Sequence, residues 1–400
     1  MSKQFYLELK QSNGHYISPW KISNLIDDLA EDYYKKYILD LIADKIPNLK
    51  KDEEIIIFDS SFDLYQQYKS LSNFSLLNKE DALNTYYLGN LIPLRPNFKI
   101  YKLSLLFELH RKLFTRLNAV GILIERDRIS DYISVNFNND NNFDFELLRN
   151  YVQDLLLSSE KKLQTALKDC NELFDKYVEK LLEYEKNLLK FELVNGMQSE
   201  KEVSEFLKNE NNSRFYKKYY RAFETNFNRH GRPIVGIINT DEQSLEIFAK
   251  EFIREDLQDQ NDNKLEMVNL SRNSPTILGY IAGTIIISWL SQLMVTHLET
   301  KKIQQQSTLA LDSVDLQVDD DVQELDDLIN NYKEMQKERL EIQSKVINFN
   351  DYKMKKSILN MDIEITQSTR NTLDKNDFLN KNIRFRPLDN DIDERDETEE

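Results

Sequence analysis

Residues 147–193 read LLRNYVQDLLLSSEKKLQTALKDCNELFDKYVEKLLEYEKNLLKFEL, the strongest structural pattern in the chain. Apolar or aromatic residues recur every seven positions, and a second apolar series interleaves at offsets of four and three, which is a heptad pattern. Neither Gly nor Pro interrupts it, and Asn195-Gly196 follows as a helix stop. We therefore predict one unbroken helix, about 70 Å long at about 1.5 Å per residue, that packs along another helix.

A second heptad pattern at 321–349 is a natural partner for this helix. Pairing within one chain and pairing between two chains both satisfy the pattern, and the second would make a homo-oligomer. The residues expected to form the contact are Leu163, Leu167, Phe174, Tyr177, Leu181, Tyr184, Leu188, Phe191, Leu328, Tyr332, Met335, Ile342 and Val346.

The composition is that of a folded, helix-dominated chain. Its 400 residues suggest two or three domains, and 40% hydrophobic content is enough to bury a core. Only 8 Gly and 7 Pro are present, too few for turn-rich all-β folds. The net charge of −16 disfavours a general nucleic-acid binder, because the phosphates would repel the molecule as a whole.

The cysteine count and the first residues indicate the compartment. Cys170 is the single cysteine, which excludes an intramolecular disulfide and a cysteine-based zinc site, and its heptad position predicts a core residue. The first ten residues alternate and carry charges, whereas a signal peptide needs an unbroken apolar run. We expect a cytoplasmic protein.

The first 140 residues have an α/β texture. Asp59 or Ser60 is expected to cap a helix, and Asn78 to cap the next one. The predicted strands are 4–10, 54–58, 119–124 and its hairpin partner 129–137; the predicted helices run from Pro19 to Pro47, from Asn78 to Leu91 and over 102–118.

A βαβα unit is predicted at about 233–303. The apolar run 234–238 reads as a buried strand, and Asn239-Thr240-Asp241 as the cap of a helix. A second strand at 265–270 and a helix after Pro275 complete the pattern, which is typical of a parallel sheet.

The apolar segment 277–298 has two interpretations. No formal charge occurs from Asn273 to Leu298, so the segment could span a bilayer and tether the protein. A polar stripe through Ser288 and Gln292 favours a buried helix instead. A membrane is therefore a possible partner that we do not favour.

Residues 215–232 combine aromatic and basic side chains. Phe215, Tyr219, Phe223 and Phe227 recur at four-residue spacing, which predicts an amphipathic helix with its aromatic side in the core. The same residues, with Lys217, Lys218 and Arg221, could instead stack on single-stranded nucleic acid. We favour the core interpretation because the chain is acidic.

The predicted fold class is mixed α+β, with long coiled-coil-like helices and small α/β regions. The predicted regions are 1–140, α/β; 141–230, long-helix region with a coiled coil or helical hairpin; 231–305, βαβα with a long apolar helix; 306–320, linker; 321–350, second coiled segment; 351–400, a tail that is acidic and disordered at its end.

The leading functional hypothesis is a non-enzymatic assembly subunit. The sequence contains no phosphate-loop, dinucleotide, zinc-protease or nucleophile-elbow motif, and we expect no cofactor, metal site or catalytic residue. A subunit of a multiprotein bacterial machine, for example a secretion or injection apparatus that contacts other protein subunits, fits this composition. The alternatives are a metal-dependent nuclease-like or phosphate-processing enzyme, with Asp241 and Glu266 in the βαβα unit, and the membrane-tethered adaptor.

Overall fold

The structure is a computed structural model of mixed α+β class in which helix predominates. It describes residues 4–12, 17–62, 73–138, 145–158, 164–192, 200–252, 264–271, 276–283, 286, 289–290, 293, 349–378 and 383–387. The chain forms two compact units, each assembled from separated stretches. Unit 1 comprises Met1–Tyr37, Glu255–Val346 and Asp362–Glu400, and unit 2 comprises Ile38–Arg254 and Ile347–Met361.

The elements in chain order are as follows. The helices are α1 Pro19–Lys45, α2 Lys79–Leu88, α3 Phe98–Asn118, α4 Ile129–Asn138, α5 Glu146–Leu157, α6 Gln164–Glu192, α7 Glu200–Phe206, α8 Glu210–Phe215, α9 Ala222–Arg229 and α10 Phe349–Lys375, with a π-helix at Tyr216–Tyr220 and 3-10 turns at Ile46–Asn48, Arg126–Arg128 and Lys250–Phe252. The strands are β1 Phe5–Lys10, β2 Glu53–Ser61, β3 Asn73–Ser75, β4 Leu91–Pro93, β5 Pro233–Asn239, β6 Ser244–Ile247, β7 Glu266–Ser271, β8 Ile277–Ala282 and β9 Ile383–Pro387.

Unit 1 is built on an antiparallel sheet with the strand order β7-β8-β1-β9. Alternate residues of β1 are buried, as the predicted strand at 4–10 requires. The buried face of α1 packs in the same core, together with Trp289. Thr369 links helix α1 to Trp289, because its hydroxyl lies 2.9 Å from Asp32 Oδ2 of α1 and 3.3 Å from Trp289 Nε1. Burial raises the pKa of Asp32 to about 6, although the Thr369 hydrogen bond opposes this shift.

Unit 2 contains an antiparallel sheet with the order β3-β6-β5-β2-β4. Strand β2 includes the predicted buried run 54–58, and all five of these residues are buried. Helices α3 and α6 pack antiparallel, since Tyr101 stacks on Tyr184 near one end and Arg116 donates to the carbonyl of Asp169 near the other. This helix pair carries the surface described below.

The predicted unbroken helix over 147–193 is wrong. Helix α5 ends at Leu157, and α6 begins at Gln164 and runs back beside it. Arg149 contacts Asp175 at 2.5 Å and Gln153 donates to Asn171 at 3.1 Å, which fixes an antiparallel hairpin. The hydroxyl of Ser158 donates to the carbonyl of Leu155. Serine favours helix ends because such side-chain hydrogen bonds compete with the backbone hydrogen bonds of the helix. A coiled coil is not confirmed.

The predicted βαβα unit is also wrong. After β5 the chain turns back as strand β6, and β7 pairs antiparallel with β8 in the other sheet. The Asn239 side chain does accept from the amides of Asp241 and Glu242, but these bonds close a turn that Gln243 completes at φ 52°. The same side-chain cap serves a turn and a helix start, so the sequence signal was ambiguous.

The predicted hairpin of 119–124 and 129–137 is replaced by a helix end and helix α4. Gly121 adopts φ 80° as the chain leaves α3, and Ile129 and Ile133 bury one side of α4. Asp59 and Ser60 do not cap a helix, because strand β2 continues through both. The predicted helices after Pro19, after Asn78 and over 102–118 are confirmed as α1, α2 and α3.

The apolar segment 277–298 is not one helix, because 277–282 forms strand β8. The Tyr6 side chain of β1 lies over Gly279 of β8, where an added Cβ would stand 2.6 Å from the Tyr6 hydroxyl. In the part of the chain that the structure describes, no helix has the length and apolarity to cross a membrane.

Two C-terminal predictions fall wholly or partly on residues outside the described ranges. Residues 321–348 of the predicted second coiled segment lie outside the described residues. They include the expected contact residues Leu328, Tyr332, Met335, Ile342 and Val346. The predicted tail 351–400 contains most of α10 and strand β9, and residues 388–400 lie outside the described residues.

Candidate functional site: a lysine cluster on helices α3 and α6

The predicted contact residues of α6 are placed inside unit 2. Phe174, Tyr177, Leu181, Tyr184, Leu188 and Phe191 are all buried. Leu167 is half-buried, and Leu163 lies outside the described residues. The apolar side of α6 therefore packs inside this chain. Pairing with a second chain through the same side would require α6 to separate from α3. Cys170 is buried as predicted, and burial raises the pKa of its thiol.

An aromatic cluster lies at one end of the α3–α6 pair. Tyr101 and Tyr184 stack at 3.9 Å between ring centroids, and Tyr219 meets Tyr184 edge-on at 4.7 Å. The hydroxyls of Tyr101 and Tyr219 lie 3.2 Å apart. The members of the aromatic cluster are Tyr101, Tyr184, Phe191, Phe206, Phe215, Tyr216, Tyr219 and Tyr220. The core interpretation of the four-residue aromatic spacing therefore holds for Phe215, Phe223 and Phe227, which are buried, and for Tyr219, which packs against the cluster.

The π-helix brings two lysines to the surface beside these rings. Helices α8 and α9 are separated by Tyr216–Tyr220, a wider turn of a kind that is frequent at functional sites. Tyr220 faces inward, whereas Lys217 and Lys218 are exposed. The Lys218 ammonium lies 4.9 Å from the centre of the Tyr219 ring. The wider turn thus places charge at the edge of the aromatic cluster.

A lysine cluster lies on the neighbouring surface, where two of its members contact Glu108. We define it as Lys112 of α3, Lys176 and Lys180 of α6, and Lys218 of the π-helix. The Lys112 ammonium lies 2.6 Å from one oxygen of Glu108, and the Lys180 ammonium lies 3.7 Å from the other. Both ammonium groups also face the Tyr177 ring, at 5.3 Å and 4.3 Å from its centre. Helices α3 and α6 thus place two cations on one carboxylate.

Burial and neighbouring charges shift the pKa values of Lys180 and Glu108. Burial lowers the pKa of Lys180, Glu108 opposes that shift, and Lys112, Lys176 and Lys218 lower the pKa further. Burial raises the pKa of Glu108, but the hydrogen bond from Lys112 and the charge of Lys180 outweigh burial, so that the net shift is downward. Burial and the Tyr219 hydrogen bond raise the pKa of Tyr101, and Glu108 and Glu183 add to that shift, so carboxylates as well as ammonium groups lie near this surface.

The aromatic rings beside the cluster are already in contact with one another. Tyr101, Tyr184 and Tyr219 form mutual ring contacts, and the Tyr216 hydroxyl accepts from Lys353 at 2.8 Å. Base stacking requires exposed ring faces. This arrangement disfavours the nucleic-acid interpretation of residues 215–232.

A second polar network lies between β2, α2 and α3, half-buried at Asp59, Asn90 and Arg111 and buried at Tyr86 and His110. The Asp59 carboxylate accepts from the backbone and the side-chain amide of Asn90, whose oxygen accepts from Arg111 at 2.6 Å. Arg111 also lies over the Tyr86 ring, and the Tyr86 hydroxyl meets His110 Nδ1 at 3.1 Å. Burial lowers the pKa of His110 to about 4, so the ring is neutral at pH 7. This network ties the sheet to the helices.

The residues of the enzyme hypothesis do not form a buried site. Asp241 is an exposed residue of unit 2 in an ion pair with Lys99 at 3.1 Å. Glu266 is an exposed residue of unit 1 in an ion pair with Lys264 at 3.5 Å. Within the described residues, no group of three or more His, Cys, Asp or Glu side chains could hold a metal ion.

A small cavity of about 230 Å³ lies beside the lysine-bearing helices. Its lining consists of Arg116, Leu117, Val120, Thr165, Ala166, Asp169 and Cys170. Arg116 donates to the carbonyl of Asp169 at 3.0 Å, which closes one wall. The cavity therefore belongs to the packing between the end of α3 and the start of α6.

Compared with known proteins, the chain matches no protein family, no curated protein sequence and no solved structure. The candidate site therefore rests on geometry.

The sequence did not reveal the lysine cluster. Lys176 and Lys180 are spaced by four on the outward side of the heptad pattern, where lysine is ordinary. Glu108 and Lys112 have the same spacing on α3. The missing information is the antiparallel register of α3 and α6, which no local pattern encodes.

Proposed function

We propose that the chain is a non-catalytic assembly subunit that acts through protein–protein contacts on the lysine cluster. One observation carries the proposal: the ammonium groups of Lys112 and Lys180 are held at the surface by Glu108 and by the Tyr177 ring, in a chain that is acidic as a whole. Charged groups at a protein surface contribute to the choice of partner and to the association rate. A multiprotein bacterial apparatus, such as a secretion or injection machine, is the kind of assembly that we propose for it.

The ordering of the surface supports this proposal. Lys112 and Lys180 are held by Glu108 and by the Tyr177 ring, so a partner loses less side-chain entropy on binding them. Their side chains are still 48% and 30% exposed, which leaves them accessible. A surface that is both ordered and accessible is suited to specific contacts.

Isolation of the tagged full-length chain from its own cells tests this function. We expect a complex of defined stoichiometry by size-exclusion chromatography with light scattering. The triple variant Lys176→Glu, Lys180→Glu and Lys218→Glu is expected to lose the partner subunits. A matched variant, Lys50→Glu, Lys168→Glu and Lys190→Glu, changes the net charge equally at exposed lysines outside the cluster and is expected to retain them.

Two results would overturn the proposal. One is a chain that remains alone under these conditions. The other is hydrolysis of a phosphodiester substrate with Mg²⁺ or Mn²⁺ that disappears in Asp241→Asn, since this would support the enzyme hypothesis.

A further inference from the structure

A polar contact in the core of unit 1 joins helices α1 and α10. The Thr369 hydroxyl of α10 lies 2.9 Å from Asp32 Oδ2 of α1 and 3.1 Å from the carbonyl oxygen of Ile365. The indole nitrogen of Trp289 donates to the same hydroxyl at 3.3 Å. Asp32 is 4% exposed and Thr369 is 0% exposed, so a charge on Asp32 is separated from water. The charge state of Asp32 is therefore tied to the packing of α10 on α1.

The single hydrogen of the Thr369 hydroxyl has two acceptors within reach. A hydroxyl donates one hydrogen bond and accepts two, and Trp289 occupies one of the accepting positions. When Asp32 is ionised, the hydroxyl donates to its carboxylate, because a bond to a charged acceptor is the stronger one, and the Ile365 carbonyl loses its bond from the hydroxyl. When Asp32 is protonated, its carboxyl group donates to Thr369, and Thr369 donates to Ile365. The hydroxyl thus has a partner in both charge states.

We propose that Asp32 and Thr369 form a pH-sensitive contact between α1 and α10, in which the neutral carboxyl group keeps the two helices packed and its ionisation loosens them. Ionisation places a charge in the apolar core that contains Trp289, and exposure of that charge to water requires the helices to separate locally. Another polar link in unit 1, the ion pair of Lys36 with Asp362 at 2.6 Å, lies one turn further along α1 and does not include Asp32. This inference is independent of the function proposed for the lysine cluster.

Burial raises the pKa of Asp32 from its ordinary 3.8 to about 6. The other groups that act on Asp32 are Thr369, Lys35 and Ser368, which oppose that shift, and Asp28, which adds to it; Glu31 and Glu364 in turn act on Lys35. The segment 273–298, which contributes Trp289, contains no Asp, Glu, Lys or Arg. Because the folded pKa is the higher one, the stability from this contact is full below about pH 4 and is lost as pH rises through about 6.

The indole of Trp289 makes the contact measurable in the full-length chain. The chain has two tryptophans, and Trp20 is 75% exposed, so Trp20→Phe leaves Trp289 as the single emitting tryptophan. In this protein, acrylamide quenching of Trp289 should rise between pH 5 and pH 7.5, with a midpoint near pH 6, because the packing of α10 loosens. Hydrogen exchange of the α10 amides around Thr369, corrected for the intrinsic effect of pH, should become about tenfold faster over the same range.

Asp32→Asn in the Trp20→Phe background keeps the shape of the side chain and carries no charge at any pH. It should remove both changes, whereas Asp27→Asn, at an exposed position of α1, should leave them as they are. Thr369→Val removes a hydrogen bond that lowers the pKa of Asp32, so the midpoint should move to higher pH, and Thr369→Ser should keep it near pH 6. Circular dichroism verifies that each variant is folded.

Three outcomes would overturn the inference. The first is constant quenching and constant exchange from pH 5 to pH 7.5 in the Trp20→Phe protein. The second is an unchanged pH dependence in Asp32→Asn, because another group would then carry it. The third is an equal loss of the dependence in Asp27→Asn. If Asp32→Asn does not fold, the two Thr369 variants decide, and equal midpoints for Thr369→Val and Thr369→Ser would exclude the contact.

Discussion

Unit 2 holds two glutamates against basic side chains, and the two respond in opposite ways. Glu54 is 1% exposed in strand β2, with Arg95 Nε at 2.5 Å from its carboxylate. Glu108 lies at the surface, with Lys112 at 2.6 Å. Burial raises the pKa of Glu54 to about 7 despite the guanidinium, whereas the pKa of Glu108 is lowered because its lysines outweigh a smaller burial effect.

The difference between these two pairs follows from burial, since both carboxylates have a cation in contact and only Glu54 is fully buried. Arg95 also donates to the carbonyl of Glu53, so it fastens strand β2 while it compensates the buried charge. Lys112 and Lys180 beside Glu108 keep 48% and 30% of their side chains exposed. The interior pair therefore concerns folding, and the surface group is the one that we propose for binding.

The largest effect is expected when the interior pair is broken. Arg95→Met leaves Glu54 buried without its cation, and we expect a loss of about 3–5 kcal/mol in the free energy of unfolding. Urea denaturation measures it. Lys112→Met, the matched change at the surface, should lose less than about 1 kcal/mol. A loss below that value for Arg95→Met would remove the distinction between the two sites.

The pH dependence of Glu54 is expected to be nearly as large. Its folded pKa of about 7 lies above the ordinary 4.5, so the folded state binds the extra proton. The stability it contributes is full below about pH 4.5, declines as pH rises toward 7, and is constant above. Across this range the free energy of unfolding should fall by about 3 kcal/mol, because each unit of difference between the folded and unfolded pKa corresponds to about 1.4 kcal/mol.

Comparison of the wild type with Glu54→Gln by urea denaturation from pH 4.5 to pH 8 isolates this effect. The variant should lack that part of the decline. Asp32, with its pKa near 6, contributes a decline of the same sign in both proteins and cancels in the difference. Parallel curves for the two proteins would contradict the assignment to Glu54.

The sequence predicted the elements whose signals are local. Strand β2, the helix after Pro19 and the α3 helix follow from apolar periodicity and from proline at a helix start. The side-chain cap at Asn239 was identified, but the element after it was not, because a turn and a helix start use the same amide contacts. Leu245 and Ile247 fit a strand as well as they fit a helix face.

The tertiary arrangement could not be predicted in the same way. The heptad pattern identified the buried side of α6 correctly. The predicted single helix was wrong because apolar periodicity does not mark where the chain ends one helix and turns back as the next. The α5–α6 hairpin gives the periodic face a partner within the chain. The lysine cluster depends on the packing of α3 against α6, since Lys112 and Lys180 are far apart in sequence.

A smaller effect is expected for Glu108→Gln, with the opposite dependence on pH. Because the folded pKa of Glu108 is lowered, its contribution is present above the ordinary glutamate pKa and is lost as pH falls. We expect a loss of at most about 1 kcal/mol at pH 7, by thermal denaturation, that becomes smaller as pH falls below the ordinary glutamate pKa. A loss that stays the same on acidification would mean that packing, not charge, explains the effect.

The smallest effect on stability is expected for Lys180→Gln. The Lys180 ammonium is attracted by Glu108 at 3.7 Å, but burial and three neighbouring lysines act against its charge. Burial and the lysines outweigh Glu108, since the pKa of Lys180 is lowered, so loss of the charge should leave the free energy of unfolding unchanged or raise it by less than about 0.5 kcal/mol. Urea denaturation at low salt, where charge effects are largest, measures the change. If Lys180→Gln instead costs more than about 1 kcal/mol, the Lys180 contacts with Glu108 and Tyr177 stabilise the fold more than burial and the neighbouring lysines destabilise it.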